Sequence, residues 1–145
     1  MGLRREWPNL GAISLAHSYG FSNLVTPLLL HGIPLILPGS ALPEAVRRAA
    51  ALVPALTLPG VPALWRAWHE ADAIPPHTRL ALSAGAPLPL PLETAVFARR
   101  GLKLHNFYTG CERIFQMVIS KLNGAPPSGF DWHRRLLDRM GVGEA

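Results

Sequence analysis

Two short clusters, about twenty residues apart, contain residue types with which loops can hold a flat ring and a cation. Residues 83–88 have the sequence Ser-Ala-Gly-Ala-Pro-Leu, and residues 105–112 have the sequence His-Asn-Phe-Tyr-Thr-Gly-Cys-Glu. Gly85 allows the backbone to approach a ring closely and Pro87 fixes the turn, so a peptide plane can lie against a heterocyclic base. Glu112 supplies the carboxylate oxygen that a hard cation such as Mg²⁺ needs.

Each cluster follows a short apolar run, which places it at the end of a predicted strand. The runs are residues 79–82 and 102–104, and a predicted helix at residues 91–100 separates them. The segment therefore predicts a strand, a loop, a helix, a strand and a loop, in that order. In a parallel sheet of such units both loops open at the carboxyl ends of their strands, where open α/β sheets bind ligands.

The same alternation extends through the first hundred residues. Strands are predicted at residues 12–15, 34–37, 55–58, 80–82 and 102–104, and helices at residues 23–30, 43–51, 62–71 and 91–100. Strands that alternate with helices of about ten residues indicate βαβ units, and right-handed connections place helices on both faces. We therefore predict an α/β fold with an open parallel sheet of about five strands and helices on both faces.

A third motif lies upstream, at the end of the first predicted strand. Residues 15–21 have the sequence Leu-Ala-His-Ser-Tyr-Gly-Phe. In this order and at these distances, the three motifs resemble those of the AMP-forming adenylate-forming ligases, the acyl-CoA synthetase superfamily. The resemblance covers residues 1–112 and implies a partial AMP-binding-type subdomain from the N-terminal region of such an enzyme. Residues 113–145 depart from the family pattern and are predicted to be a divergent tail with a C-terminal helix.

The resemblance implies a role for each motif. The first cluster would line an adenine pocket, through Ala84, Gly85, Ala86 and Pro87. The second cluster would add further nucleotide contacts, through Asn106, Tyr108, Thr109 and Cys111. Glu112 would be the catalytic residue and would hold Mg²⁺ against the ATP phosphates. The upstream motif would border the acyl group of the substrate, through His17, Ser18, Tyr19 and Gly20.

Simpler interpretations of these residues stay open. The second cluster departs from the family pattern at two positions, because Thr109 replaces the usual glycine and Cys111 replaces a hydroxyl residue by a weaker donor to phosphate.

The 83–88 loop also fits an ordinary turn between a strand and a helix, because Gly, Ala and Pro are common turn residues. His17 fits a structural histidine, since one imidazole finds backbone partners easily. A nucleophilic pair of Cys111 and His105 has no supporting signature.

The family reaction that the resemblance implies is ATP-dependent adenylation of a carboxylic acid, followed by thioester formation with a thiol such as coenzyme A. Three family features have no counterpart in this sequence: a Ser/Thr/Gly-rich loop ending in Pro-Lys, a ribose-binding Asp and an adenylating Lys. We therefore expect a truncated, acyl-CoA-synthetase-like ligase that is inactive alone. The alternatives are a non-catalytic nucleotide- or acyl-binding module and an interaction protein that retains the sheet. A natural truncation, a frameshifted fragment and one part of a split enzyme remain open.

Composition limits the other classes. The chain has 145 residues, 49% of them hydrophobic, which suits one compact domain. Its formal net charge of +5 comes from scattered arginine pairs, not from the basic face of a nucleic-acid-binding protein. A single cysteine fits a reducing compartment, and the most apolar stretch, residues 24–37, is broken by prolines, so we expect a cytoplasmic protein without a membrane span. Apolar surface at residues 28–30, 130 and 132 would favour self-association or a partner chain.

Overall fold

The structure, a computed structural model, describes residues 2–107, all of which lie in one compact unit that spans Met1–Tyr108. Within this range the chain forms one sheet with the order β2-β1-β3-β4-β5, in which every pair of neighbours is parallel. The strands are β1 (Asn9–Leu10), β2 (Leu35–Ile36), β3 (Leu56–Gly60), β4 (Thr78–Ser83) and β5 (Leu104–Asn106). The prediction of an α/β fold with a five-stranded parallel sheet is confirmed.

The helices connect successive strands. They are α1 (Ser18–Gly20), α2 (Thr26–His31), α3 (Pro43–Ala50), α4 (Pro62–Glu70) and α5 (Leu90–Arg100), and a π-helical turn at Phe21–Val25 joins α1 to α2. A proline occupies the first turn of each helix from α2 to α5. This position suits proline, because its fixed φ is helical and the N–H that it lacks would have no partner in the helix.

Side-chain contacts place the helices on opposite faces of the sheet. Asn9 donates through Nδ2 to the carbonyl oxygen of Asn23 at 3.1 Å, so the segment from α1 to α2 covers the face that carries Asn9. The next residue, Leu10, points to the other face and belongs to the main core, together with buried residues of α3, α4 and α5. In that core Trp65 and Trp68 are fully buried and meet edge to face, with ring centroids 5.3 Å apart.

The first strand is the clearest correction to the predicted elements. The apolar residues 12–15 were expected to form it, but the strand is Asn9–Leu10 and residues 11–17 form turns and irregular structure. The ladder explains the shift, because the amides of Asn9 and Gly11 donate to the carbonyl oxygens of Pro34 and Ile36 at 2.8 Å. The amide of Ala12 then donates to the carbonyl oxygen of Leu10 at 3.0 Å, and the pairing of β1 with β2 ends there. The last strand is also displaced, to Leu104–Asn106.

The predicted apolar surface is present on α2. Leu28 is 38% exposed, and Leu29 and Leu30 are 73% and 71% exposed. Residues 130 and 132 of the same prediction lie outside the described range. None of the helices within residues 2–107 is long and apolar enough to cross a membrane.

We expect the purified chain to self-associate through this apolar surface, because exposed leucines on one helix favour contacts that remove them from water. The double variant Leu29→Ser, Leu30→Ser should reduce the mean mass measured by light scattering at high protein concentration. Leu52→Ser is a matched control, since Leu52 is 75% exposed elsewhere on the surface. A wild-type chain that remains monomeric at every concentration would contradict the expectation.

Candidate functional site

A cavity of about 400 Å³ opens at the carboxyl ends of β1, β3 and β4. This is where the strand order reverses, because β1 is followed by β2 on one side of the sheet and β3 lies on its other side. Open α/β sheets bind ligands at such a switch point. The lining is mostly apolar and comes from three connections: Ala12, Ile13, Ser14, His17, Tyr19 and Gly20 after β1, Val61 and Leu64 after β3, and Gly85 after β4.

The connection from β1 to α1 is tightly folded at Gly20. A Cβ atom built on Gly20 would lie 1.9 Å from the carbonyl oxygen of Ser14, so no other residue fits there without a backbone shift. His17 precedes α1 as its N-cap, and its Nδ1 accepts a hydrogen bond from the amide of Tyr19 at 3.5 Å. An Nδ1 that accepts leaves the proton of the neutral ring on Nε2. His17 therefore adds one N–H donor to the mostly apolar lining, which also includes Ser14.

Tyr19 ties this connection to the centre of the sheet. Its hydroxyl lies 3.2 Å from the carbonyl oxygen of Leu82 and 3.4 Å from that of Gly60, at the ends of β4 and β3. Burial of the side chain raises the pKa of the Tyr19 phenol above its ordinary value, because the charged phenolate is poorly solvated there. The phenol therefore remains a neutral hydrogen-bond donor at physiological pH.

This pKa shift predicts a loss of stability at alkaline pH. The folded-state pKa of Tyr19 lies above the unfolded value of about 10, so the neutral phenol contributes its full stabilisation below a pH of about 10. This contribution to the free energy of unfolding is lost as the pH rises from about 10 through the folded-state pKa. The chain has two tyrosines, so in Tyr108→Phe the tyrosinate absorbance reports Tyr19 alone. We expect its titration midpoint to lie above about 10 in the native protein and to return to about 10 in denaturant. A native midpoint at or below the denatured one would contradict the burial of this phenol.

The loop after β4 reaches the same cavity through Gly85. Its φ of 84° is a left-handed conformation that favours glycine. A Cβ atom at Gly85 would lie 3.3 Å from the side chain of Val61, so the loop packs against the connection after β3. Trp65 holds the base of the loop, because its indole N–H donates to the carbonyl oxygen of Leu82 at 3.1 Å.

The structure brings together residues of two motifs that lie far apart in the sequence. His17, Tyr19 and Gly20 of the upstream motif share the cavity with Gly85 of the first cluster. The other members of these motifs do not line it: Ser18 is exposed, and Ala84, Ala86 and Pro87 lie in the loop beside Gly85. Asn106 ends β5 and pairs with Ser83 in the sheet. The predicted roles of Tyr108, Thr109, Cys111 and Glu112 fall outside the described residues.

The cavity also contains residues that sequence patterns did not single out. Ala12, Ile13 and Ser14 belong to the predicted strand at residues 12–15, and Leu64 to the predicted helix at residues 62–71, whereas Val61 lies outside every predicted element. The available signal was Pro59-Gly60, which ends β3 and places residues 61–64 at the carboxyl edge of the sheet. Between residues 2 and 107, no group of three or more His, Cys, Asp or Glu side chains could hold a metal ion.

Several solved structures share this fold. O-succinylbenzoate coenzyme A synthetase (MenE) from Bacillus subtilis, in complex with ATP and magnesium, is 22% identical over 75% of this chain, with a TM-score of 0.62. An acyl-CoA synthetase from Brucella canis is 24% identical over 74% of this chain, with a TM-score of 0.61, and apo MatB from Rhodopseudomonas palustris is 18% identical over 72%, with a TM-score of 0.60. The match spans 23% of the MenE chain and 21% of each of the other two.

Comparisons of sequence give a different result. A family model described as HepT-like protein matches residues 100–144, a segment that includes the second cluster, residues 105–112. No curated protein matches the chain significantly. At these identities the structural similarity establishes the fold alone, and this chain matches less than a quarter of the length of each of these three proteins.

Proposed function

We propose that this chain carries the acyl-binding part of an AMP-forming ligase and binds small carboxylic acids without adenylating them by itself. The observation that supports this function is the switch-point cavity, in which His17, Tyr19 and Gly20 meet Gly85 from a loop more than sixty residues away. Under this proposal residues 1–112 are the ligase-like subdomain and residues 113–145 are a separate tail.

The chemistry of the lining suits an apolar group with one hydrogen-bond acceptor. Ala12, Ile13, Val61 and Leu64 provide apolar surface, and transfer of an acyl chain from water to such a surface is favourable. His17 provides an N–H donor, and Ser14 provides a hydroxyl, for an oxygen of the ligand. The carboxylate would therefore lie near His17 and the hydrocarbon part near the apolar residues.

The described residues suit the base of ATP better than its phosphates. The backbone at Gly85 lies on the cavity wall, where a flat ring could approach it. No lysine, arginine or carboxylate among residues 2–107 lines this cavity, so the described residues do not fit a magnesium triphosphate. Glu112 is the residue that we propose for Mg²⁺, on the resemblance of residues 105–112 alone.

We expect no carboxylate-dependent exchange of pyrophosphate into ATP by the isolated chain. Adenylation depends on donors that are positioned around the developing charge, and removal of one such donor elsewhere costs roughly a factor of 10² or more. The test is pyrophosphate exchange with a panel of aliphatic and aromatic carboxylates, with Glu112→Gln as the control. Robust exchange that Glu112→Gln abolishes would show a working minimal ligase and would overturn the proposed lack of activity.

The same panel of carboxylates distinguishes the proposed ligand-binding function from the alternative of an interaction protein. Calorimetric titration with carboxylates should show binding, which His17→Ala weakens. The matched control His31→Ala removes an exposed histidine from the end of α2, away from the cavity lining. If no carboxylate binds the wild-type chain, the alternative of an interaction protein that retains the sheet is favoured instead.

A further inference from the structure

We infer that Tyr19 sets the length of the acyl group that the cavity accepts and restricts it to short aliphatic or single-ring carboxylates. This inference rests on the proposed acyl-binding function and specifies its substrate class. Tyr19 is then a specificity-determining residue, and its hydroxyl donates to backbone carbonyl oxygens of the protein and not to the ligand.

The first observation is the position of the Tyr19 side chain. It lines the cavity, and its hydroxyl lies within hydrogen-bond distance of two backbone carbonyl oxygens, at the ends of β3 and β4. The side chain therefore extends from the start of α1 to the middle of the sheet. A longer acyl chain that extends in this direction would contact the Tyr19 ring, whose hydroxyl is hydrogen-bonded to the backbone.

The second observation is that two aromatic side chains converge at the end of β4. The carbonyl oxygen of Leu82 lies 3.2 Å from the Tyr19 hydroxyl and 3.1 Å from the indole nitrogen of Trp65. Trp65 is fully buried and belongs to the same core cluster as Leu58 of β3. The Tyr19 phenol and the Trp65 indole therefore meet at one oxygen atom, where the Tyr19 side of the cavity adjoins the buried core.

The third observation is that the backbone under Tyr19 cannot yield easily. The amide of Tyr19 donates a hydrogen bond to Nδ1 of His17. The next residue, Gly20, lies so close to the Ser14 carbonyl that an added Cβ atom would overlap it. A cavity of about 400 Å³ lies in the lower part of the range for small-molecule sites, roughly 300–1,000 Å³. The boundary at Tyr19 therefore fixes the depth of a small site.

The test is calorimetric titration of the wild-type chain with straight-chain carboxylates from propanoate to decanoate. Each methylene that enters the cavity should raise the affinity about fourfold, which corresponds to about 0.8 kcal/mol, until the chain reaches Tyr19. Beyond that length the affinity should stop rising. In Tyr19→Ala the rise should continue for about two or more further methylenes, and in Tyr19→Leu for fewer.

Two further variants keep the result interpretable. Tyr19→Phe retains the ring and should keep the wild-type length limit, which separates the ring from its hydroxyl, and Tyr19→Leu carries the test if Tyr19→Ala fails to fold. Arg5→Gln tests a separate groove, lined by Leu3, Arg5, Leu30, His31 and Ile33, where a cationic side chain could attract the same acids. Its titrations should match those of the wild-type chain.

The outcomes separate this inference from the proposed function. If carboxylates bind but Tyr19→Ala and Tyr19→Leu keep the wild-type length limit, Tyr19 does not set it and the inference fails alone. If Arg5→Gln abolishes binding, the acids bind in the other groove and the inference is overturned. If no carboxylate binds the folded wild-type chain, the proposed function fails as well.

Discussion

Replacing Gly20 by alanine should destabilise the protein by about 3 kcal/mol or more, at the upper end of what overpacking costs. The new Cβ atom would lie 1.9 Å from the Ser14 carbonyl oxygen and 2.7 Å from its carbon, and both are backbone atoms that cannot rotate away. The usual gain of about 1 kcal/mol from alanine in a helix is too small to offset this overlap. Urea denaturation measures the loss, and carboxylate binding should weaken with it because the displaced residues line the cavity.

Gly11→Ala is the matched control for this experiment. The atoms nearest to its new Cβ atom are the ends of the Leu35, Leu37 and Leu24 side chains, at 3.0–3.3 Å, and flexible ends can adjust by a few tenths of an ångström. We expect a change in unfolding free energy below about 1 kcal/mol, which is small on the scale of overpacking effects. A Gly20→Ala chain as stable as Gly11→Ala would show that the connection from β1 to α1 is folded differently.

Replacing Trp65 by alanine should cost about 3–5 kcal/mol, the usual effect of removing a fully buried tryptophan. The change removes the edge-to-face contact with Trp68 and the hydrogen bond to the Leu82 carbonyl oxygen. Because a domain of this size is stable by only about 5–15 kcal/mol, a large share of its stability should disappear. Thermal unfolding followed by circular dichroism measures the effect.

Trp65→Phe divides this loss into two parts. Phenylalanine keeps an aromatic ring in the core but has no N–H, and the Leu82 carbonyl still has the Tyr19 hydroxyl as a partner. We expect Trp65→Phe to retain most of the stability that Trp65→Ala loses. Equal destabilisation by the two variants would mean that the hydrogen bond, and not packing, anchors α4 at the end of β4.

The overall fold could be predicted from the sequence because its signals are local. The alternation of short apolar runs with helical stretches of about ten residues located β2, β3 and β4, and it located α3, α4 and α5. The first strand could not be located in this way, because it has two residues and one of them, Asn9, is polar. Its burial depends on a hydrogen bond to the carbonyl oxygen of Asn23, a tertiary contact that the local pattern does not contain.

The candidate site was predictable only in part, for a similar reason. Family-like motifs identified His17, Tyr19, Gly20 and Gly85, which the structure gathers around one cavity. The remaining lining depends on which strands are neighbours. Val61 and Leu64 join the site because β3 pairs with β1, and this pairing is a property of the sheet order and not of any local sequence.

Amide chemical shifts measured by NMR during a titration with hexanoate test the central claim most directly. If the switch-point cavity is the binding site, the largest shifts should come from residues 12–20, residues 61–64 and Gly85, with saturation at a single affinity. Shifts concentrated instead at residues 3–5 and 30–33, around the second groove, with residues 12–20 unchanged, would contradict the proposed site.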